Sequence, residues 1–364
     1  AAEALGAIGP AAKSAIPALV EALADQGYVW RSPDGAPKQL PVWAVVGPAL
    51  GRIGPAALPD LIAALDGENL QRCGAAAGAI HDVGPEAKEA VAPLLEMLAK
   101  DEPFTRRAAI YGLMGIGPEA KAAVPALTEA LTHEDFHTQY WACRALREIG
   151  PGAKSAVPVL VKLLREGFPD RPRYAGSVRR HAAQALGGIG PEIGNEGLDA
   201  LAQALEDPLD PVREDAAVAL GELGPAAKPA LPALEQALDQ GPFSARVRGA
   251  KALWLITGQT ERSVDVLVGE LGDFIWGMPA AQVLGEMGPK ANKAVPKLVE
   301  LFQSVDPYQH LAAADALVRI DPESKVAVPA LKELLDHKDE ELRQGARELL
   351  KHLDPDSLPA NSSP

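Results

Sequence analysis

The sequence predicts an all-α chain, an α-α superhelix of about ten stacked helix pairs with no sheet. Three observations lead there. An aliphatic-Gly-Pro step recurs along the 364 residues. The stretches between steps carry helical periodicity, and none sustains the two-residue alternation of a strand. The apolar residues amount to 47 %, yet Phe, Trp and Tyr together are only 4 %. The core is therefore built from Ala, Leu, Val and Ile, which suit closely packed helices.

The step falls at Pro10, Pro55, Pro85, Pro118, Pro151, Pro191, Pro225 and Pro289; Gln259 fills one slot, and Asp-Pro at Pro322 and Pro355 fills two more. Most spacings run from 30 to 34 residues, with outliers of 45 and 40. In each unit the Gly is expected to end one helix in a left-handed conformation, and the Pro to begin the next where no amide hydrogen is needed. A second Pro seven residues on, at Pro17, Pro125, Pro158, Pro232, Pro296 and Pro329, is expected inside that first helix, kinking it. The second helix is expected to start after a cap sixteen residues before the next step, at Asn69, Asp135, Asp273, Asp306 and Asp339. Counting back from the Pro slot, positions −2, −5, −6 and −9 of that helix form an aliphatic and Ala stripe. Ile8, Ile116, Ile149 and Leu223 stand at −2, and Ala109, Ala142, Ala182 and Ala216 at −9. A short helix pair cannot bury such a stripe alone, so repeats must stack.

This pattern resembles the HEAT repeat in its Gly-Pro-rich bacterial form, with a second helix reading V-R-x-x-A-A-x-A-L-G-x-I-G. The resemblance covers residues 1 to about 353 and implies one right-handed solenoid with the second helices on its concave face. It also implies a ladder between repeats built on an Arg at −12. That Arg is present as Arg106, Arg179, Arg213 and Arg343, but Trp43, Cys73, Gln139, Val247, Gly277 and His310 replace it, so the ladder is expected to be broken. The family is one of binding scaffolds with few enzymes.

The long spacings mark insertions at about 26–41 and 166–177, rich in Pro, Gly and aromatics, and residues 354–364 read as a disordered tail. Cys73 and Cys143 are expected on helices two repeats apart, too distant for a disulfide and buried as small side chains. No apolar run approaches the roughly 20 residues of a spanning helix. Ala1 opens inside a helical pattern, without Met or a signal-like segment, as expected of a mature product or a piece of a longer chain. Compartment and oligomeric state stay open. The formal charge of −14 disfavours nucleic acid and anionic membrane as whole-surface partners.

That charge is unevenly spread. Between Phe104 and Gln184 there are 12 Lys/Arg and 7 Asp/Glu, against 23 and 42 elsewhere. The second-helix positions left free by the stripe in these central repeats carry Arg107, Tyr111, His137, Tyr140, Trp141, Arg144, Glu148, Arg180, His181 and Gln184. The flanking repeats put small or acidic residues there, among them Gly74, Ala75, Gly78, Asp82, Glu214 and Asp215. The second insertion adds Phe168, Arg171, Arg173 and Tyr174. Guanidinium groups pair carboxylates bidentately, and Trp and Tyr give anchor area at low entropic cost. The candidate partner site is accordingly Arg107, Tyr111, Tyr140, Trp141, Arg144, Tyr174, Arg180, His181 and Gln184. The blander alternative has the rings filling space between repeats and the Arg residues paired with Asp135, Glu148 and Asp170.

His133 to His137 spells H-E-D-F-H, but the zinc-protease chemistry of that spacing needs both His on one continuous helix, and here Asp135 is a cap. No metal, cofactor or catalytic residue is expected. The expected function is a non-catalytic scaffold holding an acidic peptide or protein segment in a central concave groove. The alternative resembles the HEAT-like alkylpurine DNA glycosylases, with Trp141, Tyr140, Arg144 and Arg180 on the nucleic acid and Glu148 or Asp215 as the carboxylate. A phycobilin-type chromophore lyase shares only the repeat.

Overall fold

Glycine starts eight of the units. At the eight Gly-Pro steps φ lies between 54° and 84°, and at Gly84, Gly117 and Gly150 ψ lies near −140°. This is not the left-handed helical well expected from the sequence. It is the mirror-extended region that only a residue without Cβ enters. The chain leaves it through a 3-10 segment, such as Gly117–Ala123, whose Ala120 has φ −86° and ψ 16°. The α-helix proper begins afterwards, as in Val124–Ala130 with Pro125 in its first turn. The second Pro therefore starts a helix and does not kink one. Its missing N–H falls where no intrahelical partner exists.

The computed structural model describes residues 1–31, 38–100, 102–167, 172–304 and 306–358. The second helices are α1 (Ala2–Ile8), α2 (Val42–Ile53), α3 (Leu70–Val83), α4 (Pro103–Ile116), α5 (Phe136–Ile149), α6 (Pro172–Ile189), α7 (Asp210–Leu223), α8 (Phe243–Thr257), α9 (Gly277–Met287), α10 (Pro307–Ile320) and α11 (Glu340–Leu353). The first helices and 3-10 segments lie between them in sequence. Packing divides the chain into two compact units, residues 1–201 and 202–364. In the first, α1 to α6 pack each on the next; in the second, α8 packs on α7 and α10 on α9.

The stripe is the core. Ala109, Leu113 and Ile116 of α4, and Ala142, Leu146 and Ile149 of α5, are buried, as is Leu223 of α7; Ile8 of α1 is exposed. Backbones come close where a side chain is missing: a Cβ on Gly115 would overlap the backbone of His81, and one on Gly188 would meet Arg147. Cys73 and Cys143 are buried and unpaired, and burial pushes the Cys143 thiol up to about 12.

Caps follow the sequence in part. The carboxylate or amide oxygens of Asn69, Asp135, Asp306 and Asp339 accept backbone amides in the first turns of α3, α5, α10 and α11. Asp273 instead accepts from Ile275 and Trp276 in the turn before α9, which begins only at Gly277. Position −12 corrects a second expectation. Arg213 donates to the carbonyl of Asp207, and Arg343 to that of His337 at 2.6 Å. Where Arg is absent the bond persists: Gln139 donates to the carbonyl of His133, the His310 Nε2 to Ser304 at 2.8 Å, and the Cys73 thiol to Gly67 at 3.1 Å. At these five positions the donor varies and the acceptor stays six residues back.

The insertions also differ from expectation. The first holds a sheet, if a small one: β1 (Tyr28–Arg31) pairs antiparallel with β2 (Lys38–Pro41), Tyr28 opposite Pro41, and 32–37 lie outside the described residues. The second is helical from Pro172, so α6 absorbs most of what reads as loop, and Phe168 to Arg171 lie outside the described residues. In the tail, Pro355–Ser357 forms a 3-10 turn and Asp354 pairs with Lys332 at 3.2 Å; 359–364 lie outside the described residues.

Two outcomes test this packing. Gly115→Ala raises helix propensity by up to about 1 kcal/mol, yet it is expected to lower the stability of the protein by about 1–3 kcal/mol through overpacking against His81. A urea midpoint that stays or rises would show that α3 and α4 relax apart freely. The second test concerns the Asp135 cap, whose carboxyl burial would push up; the Thr138 hydroxyl, the Thr138 and His137 amides and Arg107 together hold it below the usual Asp range. A depressed pKa gives stability that is whole above the unfolded value of about 3.9 and lost as pH falls through the folded one. Asp135→Asn should therefore be less stable than the native chain at pH 7, with the gap closing below about pH 4. A gap constant down to about pH 2.5 would contradict the assignment.

Candidate functional site

The first unit carries an open groove of about 790 Å³ across α2, α3, α4 and α5. Its floor is an absence. Leu70, Gly74, Gly78 and Asp82 follow one another at four-residue spacing along α3, so they share a face, and two of the four have no side chain. A Cβ on Gly78 would meet nothing within 4 Å. The walls are rings: Trp43 with Pro48 on α2, Phe104 and Tyr111 on α4, and Trp141 on α5. On α4, Phe104, Arg107, Ala108 and Tyr111 again fall on one face by their three- and four-residue spacing.

The rings continue beyond the groove as a chain of contacts. His81 stacks on Tyr111 with centroids 4.1 Å apart and planes 3° from parallel. Tyr111 meets Trp141 edge-on at 5.4 Å, Trp141 meets Tyr140 at 4.9 Å, and Tyr140 meets His181 of α6 at 4.5 Å. Edge and offset pairs of this kind contribute about 0.5–1.5 kcal/mol each. The Arg144 guanidinium lies 5.2 Å from the Trp141 ring and 5.7 Å from that of Tyr140, and donates to the Tyr140 hydroxyl at 3.1 Å. Both rings lie within cation–π range of it.

The other charges are less available. Arg107 faces the Asp135 cap at 3.7 Å, the pairing that the blander reading of the sequence expects, although it also lines the groove. Asp82 is paired with His81 at 3.2 Å. Burial, and then the Asp82 charge, raise the Tyr111 phenol above its ordinary value, with Arg144 opposing; at neutral pH it is a neutral donor. The His133 Nδ1 accepts the Asp135 amide at 2.9 Å. Among the described residues no three His, Cys, Asp or Glu are gathered as a metal would need, and no helix is long and apolar enough to cross a membrane.

Of the residues singled out from the sequence, the structure brings Arg107, Tyr111 and Trp141 to the groove and ties Tyr140, Arg144 and His181 to it through ring contacts. Arg180, His181 and Gln184 are half-buried on α6, and none of them lines the groove. The His181 Nδ1–H donates to the carbonyl of Ser177 at 2.6 Å. Tyr174 belongs to the first turn of α6, but its side chain lies outside the described residues. Glu148 is exposed near the end of α5, and Asp215 belongs to α7 of the second unit. Sequence reasoning missed Trp43, Phe104 and Leu70, and it took Gly74, Ala75 and Gly78 as an uninformative flank. The available signal was the pair of glycines four apart inside a helical pattern, each disfavoured by about 1 kcal/mol relative to Ala.

Comparison with known proteins supports the architecture. The PBS lyase HEAT-like repeat matches residues 1–25. No curated protein matches the chain. A crystal structure of importin beta superposes over 94 % of this chain and 51 % of that one, with a TM-score of 0.56 and 15 % identity. A Kap121p mutant superposes over 92 % and 45 %, with a TM-score of 0.45 and 12 % identity. The chain thus spans about half the length of these structures, and at such identity the likeness is one of fold. HEAT repeats match residues 91–177, 175–255 and 279–351, the same glycine-started helix pairs that build both units, and with most of its length so matched the chain belongs to the HEAT-repeat family.

Proposed function

We propose that the protein is a non-catalytic scaffold that holds an acidic peptide or protein segment in the groove of its first unit. One observation carries the reading: on a chain with five Trp, five Tyr and six Phe, Trp43, Phe104, Tyr111 and Trp141 stand around a single open groove floored by glycine and alanine. Exposed and half-buried rings beside a floor open at Gly78 are anchor sites that a partner's apolar side chains complete. The carboxylates of the partner fall to Arg144, whose guanidinium is presented by two rings, and beyond it to Arg180 and His181 on α6. The titratable groups on the walls already serve structure, Asp82 with His81 and Arg107 with Asp135.

The test uses labelled peptides that carry Leu and Phe beside either Glu or Lys, and follows their anisotropy with the full chain. The Glu peptides are expected to bind and the Lys peptides not. Arg144→Glu should weaken the Glu peptides about tenfold or more, about 1.4 kcal/mol, with helix content unchanged by circular dichroism. Equal binding of both peptide sets, or an unaffected Arg144→Glu variant, would overturn the reading. Salt-sensitive binding of a short DNA duplex that displaces the Glu peptides would replace it with a nucleic-acid function.

A further inference from the structure

One charge on the groove wall has the wrong sign for the proposed partner. Asp82 lines the groove from α3; its Oδ1 lies 3.2 Å from the His81 Nδ1, and its Oδ2 has no partner among the described residues. The root of this side chain is fixed. A Cβ on Gly51 of α2 would overlap the Cβ of Asp82, and Gly115 of α4 comes as close to the backbone of His81. After burial, it is the Asp82 charge that raises the Tyr111 phenol, with Arg144 of α5 opposing. A carboxylate brought over Tyr111 enters the same field and is repelled by it.

The group able to cancel that charge is already in contact with it. His81 lies flat on the Tyr111 ring, 4.1 Å between centroids, and imidazole is the side chain that ordinarily changes charge between about pH 5 and 8. As a neutral donor to Asp82 it leaves the charge of the carboxylate in place. Protonated, it makes an ion pair with Asp82 and lays a cation on the face of Tyr111, both favourable. Elsewhere on the packed elements, α2 carries Arg52, α3 carries Arg72 near its start, and α4 carries Arg106 and Arg107, the second of which faces Asp135. The 3-10 segment Gly84–Ala90 adds Glu86, Lys88 and Glu89, and α5 adds Arg144, Arg147 and Glu148, with His137 in its first turn beside Phe136. Apart from His137, these are residue types that ordinarily hold their charge across that window.

Resting on the acidic-segment reading above, we infer that Asp82 is a specificity residue of the groove and that His81 sets its effect: a proton on His81 lifts the repulsion, so the acidic partner is held more tightly as pH falls from about 8 to about 5.5. Linkage gives the converse. The bound acidic segment favours the imidazolium, so complex formation takes up a proton, to a limit of about one per site. The partner's Glu side chains stay ionised throughout, because their ordinary value is about 4.3.

Titration calorimetry with the full chain tests this, using the Leu-Phe-Glu peptides and a matched set with Gln in place of Glu. The Glu peptides are expected to bind about threefold to tenfold more tightly at about pH 5.5 than at about pH 8, with a heat that varies with the ionisation enthalpy of the buffer as proton uptake requires, and the Gln peptides to bind alike at both. Asp82→Asn should tighten the Glu peptides at about pH 8, and His81→Gln should leave them weak and independent of pH. A purely structural role for the pair would weaken binding in both variants. Glu peptides that bind equally at both pH values, or an Asp82→Asn variant that weakens them, would overturn the inference and leave the acidic-segment function standing. A pH dependence that survives His81→Gln belongs to another imidazole, such as His181 beside Tyr140, and overturns it too. If the Glu peptides bind at neither pH, the inference and the function beneath it fall together.

Discussion

Close approach of one second helix to the next is the constraint on which the rest depends. It is set by side chains that are absent. Gly115 lies against the His81 backbone and Gly188 against Arg147, while Ala109, Ala142, Ala182 and Ala216 fill the −9 positions with no exposed surface. A core at that spacing has no room for rings, and interiors packed to crystal density accept no extra volume without strain. Trp43, Phe104, Tyr111 and Trp141 therefore stand on a face that the stripe leaves open, around the groove.

The connections obey the same economy of atoms. A glycine with positive φ turns the chain, a 3-10 segment carries it down, and a proline begins the next α-helix where an amide hydrogen would have no partner. At the other end of the pair, the carbonyl six residues before position −12 lies in the turn after the first helix, outside any helical ladder, and takes a side-chain donor. Arg213 and Arg343 supply one, and so do Gln139, His310 and Cys73. What recurs is a donor of sufficient reach and not a charge, which is why a family signature can vary without loss of the fold.

The groove combines two properties that rarely coincide on one helical surface. Gly78 leaves open space on α3, Gly74 makes room for the Phe104 ring, and the neighbouring helices supply further rings at the edges. Charge then sorts by geometry. Arg107 is drawn to the Asp135 cap, whereas Arg144 lies against Trp141 and the Tyr140 hydroxyl.

Local rules were legible in the sequence because they act within a few residues: the Gly-Pro period, the aliphatic stripe, the caps at Asn69, Asp135, Asp306 and Asp339, and the ring-bearing face of α4 and α5. The 3-10 segments, the β1–β2 ribbon and the helical start of α6 escaped it, since each reflects a balance between a local preference and the packing around it. So did the place of the groove. No window of sequence reveals that Trp43 on α2 and Trp141 on α5 flank the glycines of α3, because that neighbourhood arises only when four repeats stack. Chain chemistry alone determined which residues turn outward, and tertiary packing decided which of those outward faces adjoin and how much space they enclose.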